Sequence, residues 1–403
     1  MRRSAGWTCF LLGILAFTGL GGIAVDNQES STERPMNERL GVTHVNGLYN
    51  PHPSDTDFLN AGAEAILELG SRSIMVYAFN PAHSYPIDTT WPRFDSLVEV
   101  VQHPYYQALF DKPFTTFFLT VYRPDEDDHY WIDGITPAQE AAEAAAMEEL
   151  ASYLLDTYAD SGKTFVLMNW EGDWAIRGNY NAEDNPTQTA IDGMIAWLNA
   201  RQAGINAARD TFTGSGVEIY HAVEVSLVKQ PMDDPSRPNV TNAVLPHTTV
   251  DLVSYSCWDT GPLGEEFRNA LDFIADHLPD TAAFGRESVF IGEYGYPENQ
   301  PGSVEDVVRN VVETGLDWGV PWLLYWQLYC NEAVNTPVET NDDVRGFWLI
   351  RPDGTRSWTY DYLQGLIEAD QPEAPEPEPD PDPEPTPDPE PEPAPPRFGC
   401  AGG

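Results

Sequence analysis

The chain has 403 residues, of which 41% are hydrophobic and 12% aromatic, and this length can bury the core of one large domain or two medium ones. Its 64 carboxylate residues outnumber its 21 lysines and arginines, and the formal net charge is -43. This charge excludes nucleic acid, phosphate-rich ligands and anionic membranes as partners, and it favours a neutral ligand.

The first 24 residues have the composition of a secretory signal peptide. Two arginines precede a short apolar segment, and the small residues Gly22 and Ala24 follow it. The alternative is a retained N-terminal membrane anchor, although the apolar segment is short for a membrane span. Both interpretations predict an exported protein, secreted or held at the cell surface, in which residues 25–40 form a polar leader.

Extended and helical segments alternate from residue 41 to residue 370. The eight extended candidates are residues 41–47, 73–80, 114–122, 164–171, 217–228, 251–259, 288–296 and 322–329. Most are nearly continuous apolar runs, which are typical of parallel strands covered on both faces. Helical segments separate them, for example residues 136–162, which begin with Thr136-Pro137 and end at Gly162.

This alternation predicts an α/β protein with one (β/α)8 TIM barrel, and a doubly wound open sheet is the main alternative. No glycine-rich phosphate-binding loop follows a strand, so a nucleotide cofactor is not expected. We expect the barrel to be a monomer.

The C-terminal region has a different composition. Residues 371–396 alternate proline with carboxylates and cannot form a core, so they predict a disordered, acidic spacer of polyproline II type. Residues 397–403, RFGCAGG, resemble the segment that precedes the membrane helix in some bacterial surface-sorting tags. Attachment to the cell surface through Cys400 is one interpretation, and a free end is the other.

Two cysteines, Cys257 and Cys330, belong to the predicted barrel. An oxidising compartment permits a disulfide between them, and two separately buried thiols are the alternative. No pair of cysteines and no histidine motif has the spacing of a metal site, so we expect neither a metal nor another cofactor.

Polar residues are concentrated where the predicted strands end, which is the catalytic face of a (β/α)8 barrel. They are Asn169, Glu171 and Asp173 after strand 4, Glu224 on strand 5, Tyr255, Trp258 and Asp259 on strand 6, Glu293 and Tyr296 on strand 7, and Trp326 and Tyr329 on strand 8. Alternation along strand 4 predicts that Asn169 and Glu171 share one face and that Trp170 points to the other. Cleavage of a glycosidic bond with retention needs two carboxyl groups about 5 to 5.5 Å apart, and Glu171 and Glu293 lie on strands that face each other.

Four segments carry a family resemblance: LMNWEGDW, SYSCWD, VFIGEYGY and WLLYWQLY. They resemble strands 4, 6, 7 and 8 of the clan GH-A glycoside hydrolases, the retaining (β/α)8 enzymes that include cellulases, β-mannanases and β-xylosidases. The resemblance spans residues 41–366, with specific residues only in these four strands. It implies a carbohydrate substrate, with Glu171 as general acid/base, Glu293 as nucleophile, Tyr255 as a hydrogen-bond partner of the nucleophile and Trp326 beneath the sugar at the cleavage point.

The sequence also departs from the family pattern. Members of the clan usually have asparagine directly before the acid/base, where it holds the sugar 2-hydroxyl, whereas here Trp170 takes that place and Asn169 precedes it. The arginine usual at the end of an early strand is missing from residues 73–80, and Arg123 is a possible substitute.

Other residues at or near the predicted strand ends are further candidates for contact with the substrate. Asp173 has the same strand parity as Glu171 and is the competing candidate for the acid. Glu224 and His221 are structural or substrate-contacting residues. Of the tryptophans, Trp197 and Trp318 have helical patterns and are expected to pack, whereas Trp131, Trp170, Trp174, Trp258 and Trp326 lie at strand ends, where indoles can stack on sugar rings.

The sequence thus predicts an exported retaining glycoside hydrolase acting on a poly- or oligosaccharide. A non-catalytic carbohydrate-binding or surface-display protein on the same barrel is the alternative.

Overall fold

The structure is a computed structural model and describes residues 34–51 and 56–371. The predicted signal peptide, the leader as far as residue 33, the acidic spacer from residue 372 and the terminal segment with Cys400 lie outside the described residues.

Eight parallel strands form a closed barrel in which each strand pairs with the next and β8 pairs with β1. The strands are β1 (Leu40–Thr43), β2 (Ser73–Tyr77), β3 (Thr116–Thr120), β4 (Lys163–Met168), β5 (Val217–Val225), β6 (Leu252–Ser256), β7 (Val289–Tyr294) and β8 (Leu323–Tyr325). Each strand coincides with one of the predicted extended segments to within two residues at its start. The predicted TIM barrel is confirmed, and the open sheet is wrong because β1 and β8 pair through Leu40 and Leu323.

Helices surround the barrel and fill its connecting segments. The α-helices of the described residues are α1 (Met36–Arg39), α2 (Phe58–Leu69), α3 (Pro81–Ser84), α4 (Leu97–Val101), α5 (Pro104–Phe110), α6 (Pro137–Thr157), α7 (Gly172–Ala175), α8 (Gln188–Thr211), α9 (Lys229–Asp233), α10 (Glu265–Ala275), α11 (Val304–Trp318) and α12 (Trp358–Ala369).

The predicted helix boundaries have clear local causes. Thr136 and Gln139 form a reciprocal capping box at the start of α6, and each side chain accepts a hydrogen bond from the backbone N–H of the other residue. Asp57 caps α2, which ends at Gly70 in the left-handed conformation, φ 102°. These contacts satisfy backbone groups that the helices themselves leave unpaired.

The start of the barrel differs from the prediction. The predicted leader, residues 25–40, is folded from residue 36, where α1 leads directly into β1. Arg39 is buried and donates a hydrogen bond to the carbonyl of Val320, 2.7 Å away. This hydrogen bond ties the end of α1 to the segment that precedes β8.

The interior of the barrel is apolar at the end where the strands begin. Phe118 of β3 contacts Phe290 of β7 across the barrel, with ring centroids 5.1 Å apart, and both rings pack on Trp322. These three rings form an aromatic cluster near the starts of β7 and β8, at the end of the barrel opposite the carboxyl ends of the strands.

Cys257 and Cys330 are both buried, free thiols, so the disulfide alternative is wrong. Across residues 34–51 and 56–371, no group of three or more histidine, cysteine, aspartate or glutamate side chains could hold a metal ion. No helix in the same ranges is long and apolar enough to span a membrane.

Candidate active site

The chain leaves strand geometry before it reaches Glu171. The strand β4 ends at Met168, Glu171 has a left-handed backbone conformation (φ 53°, ψ 45°), and α7 begins at Gly172. Side chains therefore stop alternating between faces after Met168, because alternation requires extended backbone. The predicted arrangement is wrong: Trp170 and Glu171 both line the same cavity.

Asn169 lies outside the cavity wall. It is 1% exposed, and its amide oxygen accepts a hydrogen bond from the backbone N–H of Glu224 at 3.2 Å. This bond ties the end of β4 to β5, so the predicted contact with a sugar is corrected to a structural role.

Gly172 allows the chain to pass close to β5. The backbone N–H of Gly172 donates to the Glu224 carboxylate at 3.1 Å. A Cβ atom at this position would lie 2.2 Å from the carbonyl oxygen of Glu224, which is too close for any side chain. Only glycine can make this approach. The two hydrogen bonds of Glu224 to Asn169 and Gly172 hold the turn that carries Glu171.

The carboxylate of Glu293 accepts two indole N–H groups. The Trp170 Nε1 atom donates to one oxygen at 2.8 Å, and the Trp258 Nε1 atom donates to the other at 3.0 Å. Glu293 is only 6% exposed, and burial raises its pKa to about 7, with Glu171 adding to the rise while the two indoles oppose it. With a pKa of about 7, the Glu293 carboxyl group is partly neutral and partly ionised near neutral pH.

Glu171 lines a cavity of about 470 Å³ beside this pair. Burial raises the pKa of its carboxyl group, and the nearby Tyr180 hydroxyl opposes this rise. The wall comes from the segments after β1, β2, β3 and β4: Asn46, Tyr77, Phe79, Asn80, His83, Ser84, Tyr122, Asp128, His129, Trp170, Glu171, Trp174, Ala175, Gly178, Asn179 and Tyr180. Glu293 does not line this cavity, and Trp170 connects the two, since its indole both lines the cavity and donates to Glu293.

A third carboxyl group belongs to the cluster. Glu224 of β5 is 1% exposed, and burial raises its pKa well above the usual range, with a further rise from the charges of Glu293 and Glu171. The sequence indicated Glu224 only as a structural or contacting residue. Its position at the carboxyl end of an apolar strand was the signal that could have marked it.

Three of the predicted tryptophans come together around Glu293. The indoles of Trp170 and Trp326 are nearly parallel, with centroids 6.4 Å apart and an interplanar angle of 9°. Trp258 is 38% exposed and packs edge-on against Phe347. Two indoles therefore bond the candidate catalytic carboxyl directly, and Trp326 and Phe347 pack against those indoles.

The other two tryptophans predicted near the site differ from each other. Trp174 lines the cavity and contacts the ring of Tyr180, with centroids 5.8 Å apart. Trp131 is buried and stacks on Trp197, 5.7 Å away, so it is a packing residue.

Asp173 is a structural residue, which corrects the prediction that it competes as the acid or contacts substrate. It is fully buried, its carboxylate accepts hydrogen bonds from the backbone N–H groups of Ser226, Leu227 and Val240, and it forms an ion pair with Arg177. These contacts anchor the loop after β5 to the turn that follows β4.

The prediction that Tyr255 hydrogen-bonds the nucleophile is wrong. Its hydroxyl donates to Asp259 at 2.6 Å and lies equally close to the Thr260 hydroxyl, and its ring faces Phe267 of α10. The pairing of β6 with β7 is irregular after Tyr255, and Trp258 reaches Glu293 instead.

His221 and Arg123 also lie away from Glu293. His221 is fully buried between β5 and α8, within hydrogen-bonding distance of Arg201 and Gln202, so its predicted contact with substrate is wrong. Arg123 forms an ion pair with Asp125 and lines a separate cavity of about 400 Å³. It does not replace the missing arginine beside the nucleophile.

No protein-family model and no curated protein matches the chain. Among solved structures, a GH5 cellulase affiliated with Bacteroidetes and linked with a polysaccharide utilization locus is 14% identical, with 86% of this chain and 94% of the cellulase covered and a TM-score of 0.50. The chain is also similar to the β-glucuronidase of Bacteroides uniformis, with 12% identity, 83% of this chain covered and a TM-score of 0.47. A third similar structure is the exo-β-1,4-mannosidase Op5Man5 from Opitutaceae bacterium strain TAV5, with 11% identity, 82% of this chain covered and a TM-score of 0.48. The chain spans 37% of the glucuronidase and 59% of the mannosidase. At these identities the similarity shows the (β/α)8 barrel fold alone.

Proposed function

We propose that this protein is a retaining glycoside hydrolase of clan GH-A type. The observation that carries the proposal is the placement of Glu171 and Glu293 at the carboxyl ends of the opposite strands β4 and β7, near enough for the charge of Glu171 to raise the pKa of Glu293. Two indoles bond the Glu293 carboxylate, and a cavity of sugar-binding size adjoins Glu171.

Glu293 and Glu171 would each have a separate role in the reaction. The ionised carboxylate of Glu293 attacks the anomeric carbon, while the neutral carboxyl of Glu171 gives its proton to the departing glycosidic oxygen. The resulting glycosyl ester is then hydrolysed by a water molecule whose proton passes to Glu171, and Glu293 leaves as a carboxylate. The two indole N–H groups stabilise the negative charge that Glu293 carries before the attack and regains after hydrolysis.

Burial suits Glu171 to the acid role. Because burial penalises the ionised form, it raises the pKa of this carboxyl group and keeps the proton available at higher pH than in solution. Solved structures with this barrel fold include a GH5 cellulase, which agrees with the proposal in reaction class.

A fluorinated mechanism-based inhibitor tests the proposal directly. Incubation with 2-deoxy-2-fluoro glycosides of glucose, mannose and cellobiose should add one fluoroglycosyl group, and peptide mass spectrometry should locate it on Glu293.

The competing function is a non-catalytic carbohydrate-binding protein. It is favoured by the two indole N–H groups, because each of them already occupies one oxygen of the Glu293 carboxylate. Oligosaccharide binding with neither labelling nor turnover on a polysaccharide panel would support that alternative and refute the enzyme.

The pH dependence of kcat/KM should report Glu293. Its pKa of about 7 means that the carboxylate gains a proton as the pH falls through 7, so activity should fall on the acid side of an apparent pKa near that value. The Trp258 indole lowers this pKa by donating to the carboxylate, so Trp258→Phe should move the acid limb to higher pH by about one unit.

Trp318→Phe is the control for this measurement, because Trp318 lies on α11 and donates to Asp272, away from the site. Its acid limb should match that of the unmodified protein. An acid limb that stays in place in Trp258→Phe would contradict the assignment of Glu293 as the titrating group.

A further inference from the structure

Two buried polar groups on the wall of the cavity make no hydrogen bond to the protein. The hydroxyl of Tyr77 and the amide oxygen of Asn46 are both buried without a partner among the described residues. Tyr77 is the last residue of β2 and is 1% exposed, and Asn46 follows β1. Both residues line the same cavity as Glu171.

Other buried groups near the site are also unpaired, for example one carboxylate oxygen of Glu224, but Glu224 does not line the cavity. Two tyrosine hydroxyls close to Tyr77 are bonded within the protein. The Tyr122 hydroxyl donates to the Trp170 carbonyl at 3.1 Å, and the Tyr85 hydroxyl donates to the His44 carbonyl at 3.1 Å. Buried polar groups in folded proteins are nearly always bonded, so an unpaired hydroxyl on a residue that lines a cavity is a candidate partner for a ligand group bound there.

Tyr77 is held firmly in its position. Its ring stacks on Phe79 with centroids 5.1 Å apart and contacts Trp170 at 5.6 Å. Its backbone N–H donates to the Tyr85 hydroxyl at 2.8 Å, and its carbonyl accepts from the Tyr106 hydroxyl. The hydroxyl therefore does not need to be ordered when a ligand binds, which lowers the entropic cost of binding.

Asn46 is equally well placed. Its backbone N–H donates to the carbonyl of Ser84 at 2.8 Å, and its φ of 51° is a left-handed conformation that asparagine tolerates. The Tyr77 hydroxyl supplies a donor and the Asn46 amide an acceptor, and a sugar hydroxyl can satisfy either group.

The charge around the cavity restricts the kind of sugar. Among the described residues that line it, none is lysine or arginine, while Glu171 and Asp128 contribute carboxylates. Burial, and the charges of Glu293, Glu224 and Glu171, raise the pKa of Tyr77 well above its usual range, so its hydroxyl stays a donor. A uronic acid would place another carboxylate among these groups without a lysine or arginine to pair with it, and the two histidines of the wall, His83 and His129, are the basic groups there among the described residues.

We propose that Tyr77 and Asn46 form a subsite for the hydroxyl groups of a neutral sugar ring bound beside Glu171, and that this subsite selects neutral sugars over uronic acids. This inference rests on the proposed function for its position next to the cleavage point. It goes beyond that function by naming the substrate class and two residues that hold it.

The phenylalanine variant of Tyr77 isolates the hydroxyl. With 4-nitrophenyl β-glucoside, β-mannoside or β-cellobioside, Tyr77→Phe should lower kcat/KM about tenfold, the usual cost of one substrate hydrogen bond. Its melting temperature should not fall, because the lost hydroxyl bonds nothing in the protein. The unmodified protein should cleave 4-nitrophenyl β-glucuronide at least about tenfold more slowly than the best neutral substrate.

Tyr294→Phe is the matched control. Its hydroxyl is also buried without a partner among the described residues, but the residue faces Tyr325 and does not line the cavity. We expect unchanged kcat/KM in this variant. Equal losses in both variants, or none in Tyr77→Phe, would overturn the subsite, and so would cleavage of the glucuronide as fast as the glucoside.

Asn46→Gly tests the acceptor, since glycine adopts the left-handed backbone without strain. It should also lower kcat/KM, with the backbone at residue 46 preserved.

Calorimetry separates failure of the subsite from failure of the proposed function. In the Glu293→Ala background, which prevents turnover, adding Tyr77→Phe should weaken binding of cellotetraose or mannotetraose about tenfold. Equal affinities would overturn the subsite whatever the catalytic activity. Weaker binding in a protein that never hydrolyses sugars would keep the subsite and refute only the enzyme.

Discussion

Glu293→Ala should lose hydrolytic activity by at least about 10⁴-fold, the order of loss expected when a nucleophile is removed. The variant cannot form the glycosyl ester, although Glu171 and the aromatic walls remain. Sodium azide should fill the space left by the side chain and attack the anomeric carbon directly, which restores turnover of aryl glycosides. Because azide acts in a single displacement, the glycosyl azide should have inverted configuration by NMR.

Loss of the fold cannot account for this result. Azide can restore turnover only in a folded site. Burial raises the pKa of Glu293 to about 7, so its ionisation costs the folded state free energy that builds as the pH rises from the ordinary glutamate range to about 7, and the substitution removes this cost. Glu218→Ala is the matched control, since Glu218 is an exposed glutamate at the opposite end of the barrel, near the start of β5. Full activity in Glu293→Ala, or inactivity that azide does not rescue, would contradict the assigned nucleophile.

Asp173→Ala should cost about 3 to 5 kcal/mol in the free energy of unfolding, the range for breaking a buried ion pair. The substitution leaves Arg177 buried without its carboxylate and leaves the backbone N–H groups of Ser226, Leu227 and Val240 unpaired. Urea unfolding, with the midpoint and slope fitted together, measures the loss.

Glu171→Ala provides the contrast. Glu171 is a half-buried residue whose side-chain partner is the exposed Tyr180, so we expect near-normal stability. We expect kcat/KM to fall by about 10² to 10⁴-fold for substrates with poor leaving groups and much less for dinitrophenyl glycosides, which need no proton. The reverse result, with Asp173→Ala stable and its activity sensitive to the leaving group, would make Asp173 the acid.

The barrel and the pair of glutamates could be predicted from residue order. Parallel strands buried on both faces give long apolar runs, and these runs marked all eight strands. The first polar residues after such a run must lie at the carboxyl edge, so the order of residues is enough to place Glu171 and Glu293 at the same end of the barrel.

The prediction failed where the backbone is not extended. Alternation placed Trp170 opposite Glu171, but β4 ends at Met168 and the left-handed backbone at Glu171 brings both side chains to the cavity. Trp170 lies where the family pattern places asparagine, and its indole N–H bonds the Glu293 carboxylate. The interposed tryptophan is therefore part of the site.

Residue order was enough to predict the fold class, the positions of the strands and the two glutamates, because each depends on local burial and on chain order. The partners of those residues depend on the tertiary structure. Tyr255 faces a helix while Trp258 donates to Glu293, Asp173 anchors a loop, and Tyr77 lines the cavity and has an unpaired hydroxyl. These outcomes depend on irregular turns and on contacts between residues far apart in the chain, which the spacing of residue types does not encode.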